Sequence, residues 1–111
     1  QGRDENSAKA IIRDAASLET LGVSALVLEC IPSDLAKTVS EKLKIPTIGI
    51  GAGRDCDGQV LVSYDMLGIT SGKQPRFVRN FLKNQNTISD ALESFVVEVK
   101  EGTFPSQSES Y

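Results

Sequence analysis

The sequence predicts an α/β domain built around a parallel sheet. Two short runs, "ALVLEC" (25–30) and "PTIGIG" (46–51), are apolar without polar alternation. That is the pattern of parallel strands covered on both faces. Between them, "PSDLAKTVSEKLK" sets Leu35, Val39 and Leu43 four residues apart, as on one face of a helix. Strand, helix and strand in so short a span read as a βαβ unit.

Each element follows from local chemistry. Residues 7–21 place Ile11, Ala15 and Leu18 at helical spacing, with Ser7 as the expected N-cap and Gly22 at the left-handed C-terminal position. The first strand, Ala25–Leu28, ends in Glu29. Ser33 is expected to cap the next helix, and Pro46 excludes its continuation, because the residue before a proline is pushed away from αR. Residues 59–62 read as a third strand, with Ser63 capping a single turn that Gly68 ends; a short helix throughout is the alternative. "PRFVRNFL" (75–82) predicts a short helix with Pro75 in its first turn. In "TISDALESFVVEVKEG", Thr87 and Asp90 approximate a capping box, Ile88, Ala91, Leu92, Phe95 and Val99 form one apolar face, and Gly102 ends the helix. The closing "SQSESY" is expected to be loose.

A chain of 111 residues makes one domain at most, and 40% hydrophobic with 24% charged residues is an ordinary globular composition. A net charge of −3 gives no electrostatic grip on nucleic acid or an anionic membrane, and no apolar run approaches a membrane span. Cys30 and Cys56 lack C-x-x-C spacing and any extracellular context, so reduced thiols in a cytoplasmic protein are expected. Two or three parallel strands cannot close a sheet, and open edges would expose unpaired backbone to water. Residues 1–111 therefore read as part of a larger single domain. The polar opening at Gln1, without methionine, agrees with a processed or partial chain.

Several clusters could carry chemistry. "GIGAG" (Gly49, Gly51, Gly53) resembles a phosphate-binding turn but lacks the G-x-G-x-x-G spacing, which leaves close backbone packing or close approach of a ligand. Asp55, Asp57 and Asp65 read as turn residues, since "DCDG" lacks the downstream glutamate of a calcium loop. Lys73, Arg76, Arg79 and Lys83 read as a solvated helical stripe. With no histidine in the chain, no Ser-His or Cys-His nucleophile pair can form within it. Glu29 is the remaining candidate. It sits at the carboxyl end of an apolar strand, where catalytic groups of α/β folds gather, and burial there would tune a carboxylate toward general-base work. Pairing with a lysine, or simple exposure at the strand end, is the structural alternative.

Taken in order, "LVLECIP", "IPTIGIGAG", "CDGQVLVSYDMLGI" and "PRFVRNFL", with the close "EVKEGTFP", resemble the carboxyl-terminal half of the ketopantoate hydroxymethyltransferase family. The resemblance implies half of a (β/α)8 TIM barrel, with the amino-terminal half outside this chain. It also implies magnesium and transfer of a hydroxymethyl group from 5,10-methylenetetrahydrofolate to the keto acid 3-methyl-2-oxobutanoate. It gives Glu29 the role of proton acceptor, beside a substrate acidified by the metal, and implies a cytoplasmic homo-oligomer. The family's magnesium-binding acidic residues, and its substrate-binding serine and lysine, lie in blocks that have no counterpart here. No metal ligand is therefore assigned to this chain, which is expected to be inactive without the preceding half. The competing readings are a non-catalytic half-barrel serving structure or oligomerisation, and a related keto-acid C–C lyase.

Overall fold

The computed structural model describes all 111 residues. Helix α1 spans Glu5–Thr20, and its N-cap is Asp4 rather than the expected Ser7. The Asp4 carboxylate accepts from the Ser7 backbone N–H at 2.9 Å and from the Ser7 hydroxyl at 2.6 Å, so Ser7 helps hold the cap instead of forming it. A carboxylate is the better partner for the positive end of the helix. These bonds hold the Asp4 carboxyl below its ordinary range.

Strand β1 (Leu26–Glu29), helix α2 (Ser33–Lys42) and strand β2 (Thr47–Ile50) form the expected βαβ unit. The strands run parallel, with Leu26 opposite Thr47 and Glu29 opposite Ile50. Ser33 is the first residue of α2 and not its cap; the N-cap position belongs to Pro32, which offers no side-chain acceptor. Strand β3 is only Gly58–Gln59, parallel to β2, giving the order β1-β2-β3. The third strand thus exists but starts and ends earlier than expected, and Ser63 opens the single-turn helix α3 (Ser63–Met66) without capping it.

A first core gathers Ala15 of α1, Leu28 and Ile31 from β1 and its exit, Leu35, Ala36 and Val39 of α2, and Ala52. It covers one face of β1 only. Val27 is 60% exposed and Glu29 is also exposed, so the double coverage expected from the apolar run is not provided within this chain. The sheet order leaves the outer edge of β1 without a strand partner.

A second core joins Leu61, Met66, Phe77, Phe81, Ala91 and Phe104. Helix α4 (Ile88–Lys100) opens with the predicted capping box, Thr87 and Asp90 each satisfying the other's backbone N–H. Ala91, Phe95 and Val99 form its packed face, whereas Ile88 and Leu92 remain exposed. The rings of Phe81, Phe95 and Phe104 meet edge-on, with centroids 5.1–5.6 Å apart.

Two expectations fail here. Residues 75–82 form turns instead of a helix. The Phe81 N–H donates to the Met66 carbonyl at 2.8 Å, and the Leu82 N–H to Asn80 Oδ1 at 2.9 Å, so the donors needed for helical bonding are already taken. Nor is the 106–111 segment loose: Gln107–Glu109 forms a 3-10 turn held by Arg79. No helix is long and apolar enough to cross a membrane.

Candidate active site at the carboxyl end of the sheet

Glu29 closes β1, opposite Ile50, and its side chain is open to solvent. The desolvation expected from its strand is therefore absent in this chain. Cys30 then turns the backbone sharply, at φ +52, while its N–H donates to the Ile50 carbonyl at 2.9 Å. A non-glycine residue in this region costs about 1–2 kcal/mol, and such strain persists only where the surroundings over-determine it. Nothing in the local sequence announces it. Burial, followed by the neighbouring Glu29 charge, pushes the Cys30 thiol up, which disfavours the thiolate a nucleophile would need. Cys56 is likewise pushed up, chiefly by burial, and both thiols are free.

The glycine turn beyond β2 borders the same end of the sheet. A Cβ on Gly51 would sit 2.7 Å from Phe77 Cδ1 and 3.3 Å from Cys30 Sγ. One on Gly53 would sit 2.5 Å from Ser33 Cβ, and one on Gly49 2.9 Å from Cys56 Sγ. Close packing against protein atoms, one of the two meanings left open for "GIGAG", is found at all three glycines. The turn thereby ties β2 to the exit of β1 and to the start of α2.

Alongside the open edge of β1 lies a cleft of about 520 Å³, lined mainly by Ile11, Ala15 and Leu18 of α1 and by Val27, Leu28 and Glu29. It is mostly apolar, with Glu29 at the carboxyl end of the strand that borders it.

The three aspartates do not join this site. Asp57 Oδ2 accepts from the Thr47 N–H at 2.8 Å and the Thr47 hydroxyl at 3.0 Å, at the opposite end of the strands from Glu29. Asp65 Oδ1 accepts from Thr70 at 2.6 Å, and Asp55 points to solvent among turn residues. No three histidine, cysteine or carboxylate side chains converge.

The basic stripe is also rearranged. Lys73 and Lys83 are exposed, but Arg79 is partly buried and bonds two carboxylates. Its Nε and Nη2 donate to Glu109 Oε1 and Oε2, each at 2.7 Å, and its Nη1 donates to Glu98 Oε2. The guanidinium also lies 5.1 Å from the Phe81 ring centroid and 5.0 Å from that of Phe104. Burial pushes the Glu109 carboxyl up, but hydrogen bonds from Arg79 and Ser106 outweigh it and hold it at about 2. The hydrogen bonds to Glu109 first, and then to Glu98, push the Arg79 guanidinium up against the opposing effect of burial. Sequence reasoning missed this cluster, whose members stand 19 and 30 residues apart along the chain.

A family model described as ketopantoate hydroxymethyltransferase matches residues 1–107. Among curated relatives, the 3-methyl-2-oxobutanoate hydroxymethyltransferase of Ruthia magnifica subsp. Calyptogena magnifica is 56% identical over 111 residues, all of this chain and 43% of that protein. The protein of the same name from Pseudomonas fluorescens (strain Pf0-1) is 55% identical over 106 residues, 95% of this chain and 40% of the relative. That of Edwardsiella ictaluri (strain 93-146) is 50% identical over 111 residues, all of this chain and 42% of the relative. The chain thus spans about two fifths of the length of these relatives. From "LECIP" to "EVKEGTFP", it belongs to the ketopantoate hydroxymethyltransferase family.

Proposed function

We propose that this chain forms the carboxyl-terminal part of a (β/α)8 barrel and supplies the general base for hydroxymethyl transfer to a keto acid. The architectural part rests on β1. Its outer edge lacks a strand partner and borders the apolar cleft, and Val27 faces away from the first core. A preceding parallel strand, joined to β1 through α1, would pair with that edge and cover that surface. A barrel of this kind takes about 250 residues, so the amino-terminal half would come from outside these 111.

The observation that carries the chemical part is Glu29: a solvent-accessible carboxylate that ends a parallel strand, in a chain of this family. Catalytic groups of α/β barrels gather at that end of the strands. In the proposed reaction the Glu29 carboxylate takes the proton from C3 of 3-methyl-2-oxobutanoate. Water releases the one-carbon unit of 5,10-methylenetetrahydrofolate as formaldehyde, breaking both of its C–N bonds and leaving one proton on each nitrogen of the departing tetrahydrofolate. The enolate carbon then bonds to the aldehyde carbon, and its oxygen takes back the proton held by Glu29 to become the hydroxyl of 2-dehydropantoate, on the route to pantothenate. The Gly49–Gly53 turn borders the site and fixes its geometry through packing.

Magnesium belongs to the same reading, but the residues here do not fit it. Asp57 and Asp65 are engaged by Thr47 and Thr70, and no three donors converge. Its ligands would lie in the preceding half, and no step is assigned through it. A cytoplasmic homo-oligomer completes the proposal.

The test is turnover by the complete protein with 3-methyl-2-oxobutanoate. Product formation that requires 5,10-methylenetetrahydrofolate supports the reading. Folate-independent cleavage or condensation of the keto acid would redirect it to a C–C lyase.

A further inference from the structure

Segment 106–111 leaves α4, passes Arg79 and ends against the loop that follows Glu29. Arg79 clamps Glu109 through the two parallel bonds described above. Arg76 Nη1 donates to the Ser110 carbonyl at 3.2 Å, and its guanidinium lies 5.2 Å from the centroid of the Tyr111 ring. That ring meets Phe77 edge-on, with centroids 6.4 Å apart. The Tyr111 carbonyl accepts the Ser33 N–H at 2.8 Å.

The last bond matters because of where Ser33 stands. It is the first residue of α2, four positions past Glu29, and its N–H is one of the donors that a helix cannot satisfy internally. Pro32 provides no side-chain cap, so Tyr111 takes that role. Between Glu29 and Ser33 the chain makes its strained turn at Cys30. The turn is held at one end by the Cys30 bond to Ile50 and at the other by the Ser33 bond to Tyr111. Phe77, which packs on Tyr111, also lies beside Gly51, close to Cys30 Sγ.

We propose that Arg79 is a positioning residue for Glu29: by clamping Glu109 it seats segment 106–111 on Ser33 and so fixes the Cys30–Pro32 turn that directs the Glu29 carboxylate. The inference rests on the general-base reading of Glu29. Glu98 alone would anchor Arg79 to α4; the pairing with Glu109 is what brings the segment to the catalytic end of the sheet.

The experiment follows exchange of the C3 proton of 3-methyl-2-oxobutanoate in deuterated water, catalysed by the complete enzyme, with the folded fraction measured alongside. The variants are Glu29→Gln, Arg79→Gln, Glu109→Gln, Ser33→Pro and the Arg79→Gln/Glu109→Gln pair. Ser33→Pro deletes the N–H, together with a hydroxyl that makes no hydrogen bond, at a first-turn position that accepts proline and after a Pro32 whose ψ of 137 already suits it. Loss of alignment should cut the exchange kcat on the order of tenfold in Arg79→Gln, Glu109→Gln and Ser33→Pro alike, with KM for the keto acid unchanged. The pair should lose no more than Glu109→Gln alone, because the two residues act as one unit. Normal exchange per folded molecule in Glu109→Gln and Ser33→Pro, beside a dead Glu29→Gln, overturns the positioning role alone. If Ser33→Pro does not fold, Glu109→Gln decides. Retained exchange in Glu29→Gln overturns the base and the positioning role together.

Discussion

Arg79 grips Glu109 in a two-pronged arrangement, Nε to Oε1 and Nη2 to Oε2, each at 2.7 Å, across 30 residues of sequence. The Glu109 side chain is only 15% exposed, which shields the pair from the screening that weakens surface ion pairs. Held at about 2 against an ordinary 4.5, Glu109 stabilises the fold above pH 4.5, and that contribution is lost as the pH falls toward 2. Glu109→Gln should therefore cost about 1–2 kcal/mol at neutral pH. Denaturant titrations of both proteins at several pH values should find the gap between them closing as the pH falls from 4.5 toward 2. A gap independent of pH would assign the stabilisation elsewhere.

The Gly51 position leaves no room for a side chain. Its backbone is left-handed at φ +62, and a Cβ would press to 2.7 Å from Phe77 Cδ1. Gly51→Ala should therefore destabilise by about 2–4 kcal/mol, combining the conformational cost with overpacking. At Gly102, also left-handed but with nothing within 4 Å, alanine should cost only about 1–2 kcal/mol. Thermal melts of the two variants should separate them; equal losses would mean that the Phe77 contact carries no weight.

Asp57 works at the far end of the sheet. It accepts both the backbone N–H and the hydroxyl of Thr47, a residue with no exposed surface. Asp57→Ala would strand that buried N–H, at a cost of about 1–3 kcal/mol. Proton exchange per folded molecule should stay normal, because Glu29 is at the other end of the strand pair. A large loss of exchange in a fully folded Asp57→Ala protein would reassign Asp57 to the site.

The open edge of β1 has its own consequence. Alone, the 111-residue chain presents an unpaired strand edge beside exposed Val27 and the apolar cleft. Such an edge pairs readily with other chains. Light scattering on the isolated polypeptide should report self-association, and adding the separately produced amino-terminal half should suppress it and yield activity. A monodisperse, inactive mixture would count against the half-barrel.

Much of this arrangement was legible in the sequence. Continuous apolar runs, Pro46, and the Thr87–Asp90 pair each act through neighbours a few residues away, so the βαβ unit and α4 could be read directly. The position of Glu29 followed from the strand it ends. The misreadings share a cause. Phe77 and Phe81 sit four apart like helical neighbours, yet the Phe81 N–H is claimed by Met66, 15 residues earlier in the numbering of the chain. The polar 106–111 segment looks unstructured until Arg79 is brought to Glu109 by the fold. Asp4 and Ser7 both suit a cap, and only the geometry chooses between them. Val27 reads as buried because it is apolar, yet none of these 111 residues covers that face of β1.

A general-base role for Glu29 predicts slower exchange of the C3 proton of the keto acid in deuterated water when Glu29→Gln is compared with the complete wild-type enzyme. Loss of a positioned general base should lower the exchange rate by about 10²–10⁴-fold while the melting temperature stays within the range of a surface substitution. Exchange at close to the wild-type rate in folded Glu29→Gln would remove Glu29 from the mechanism.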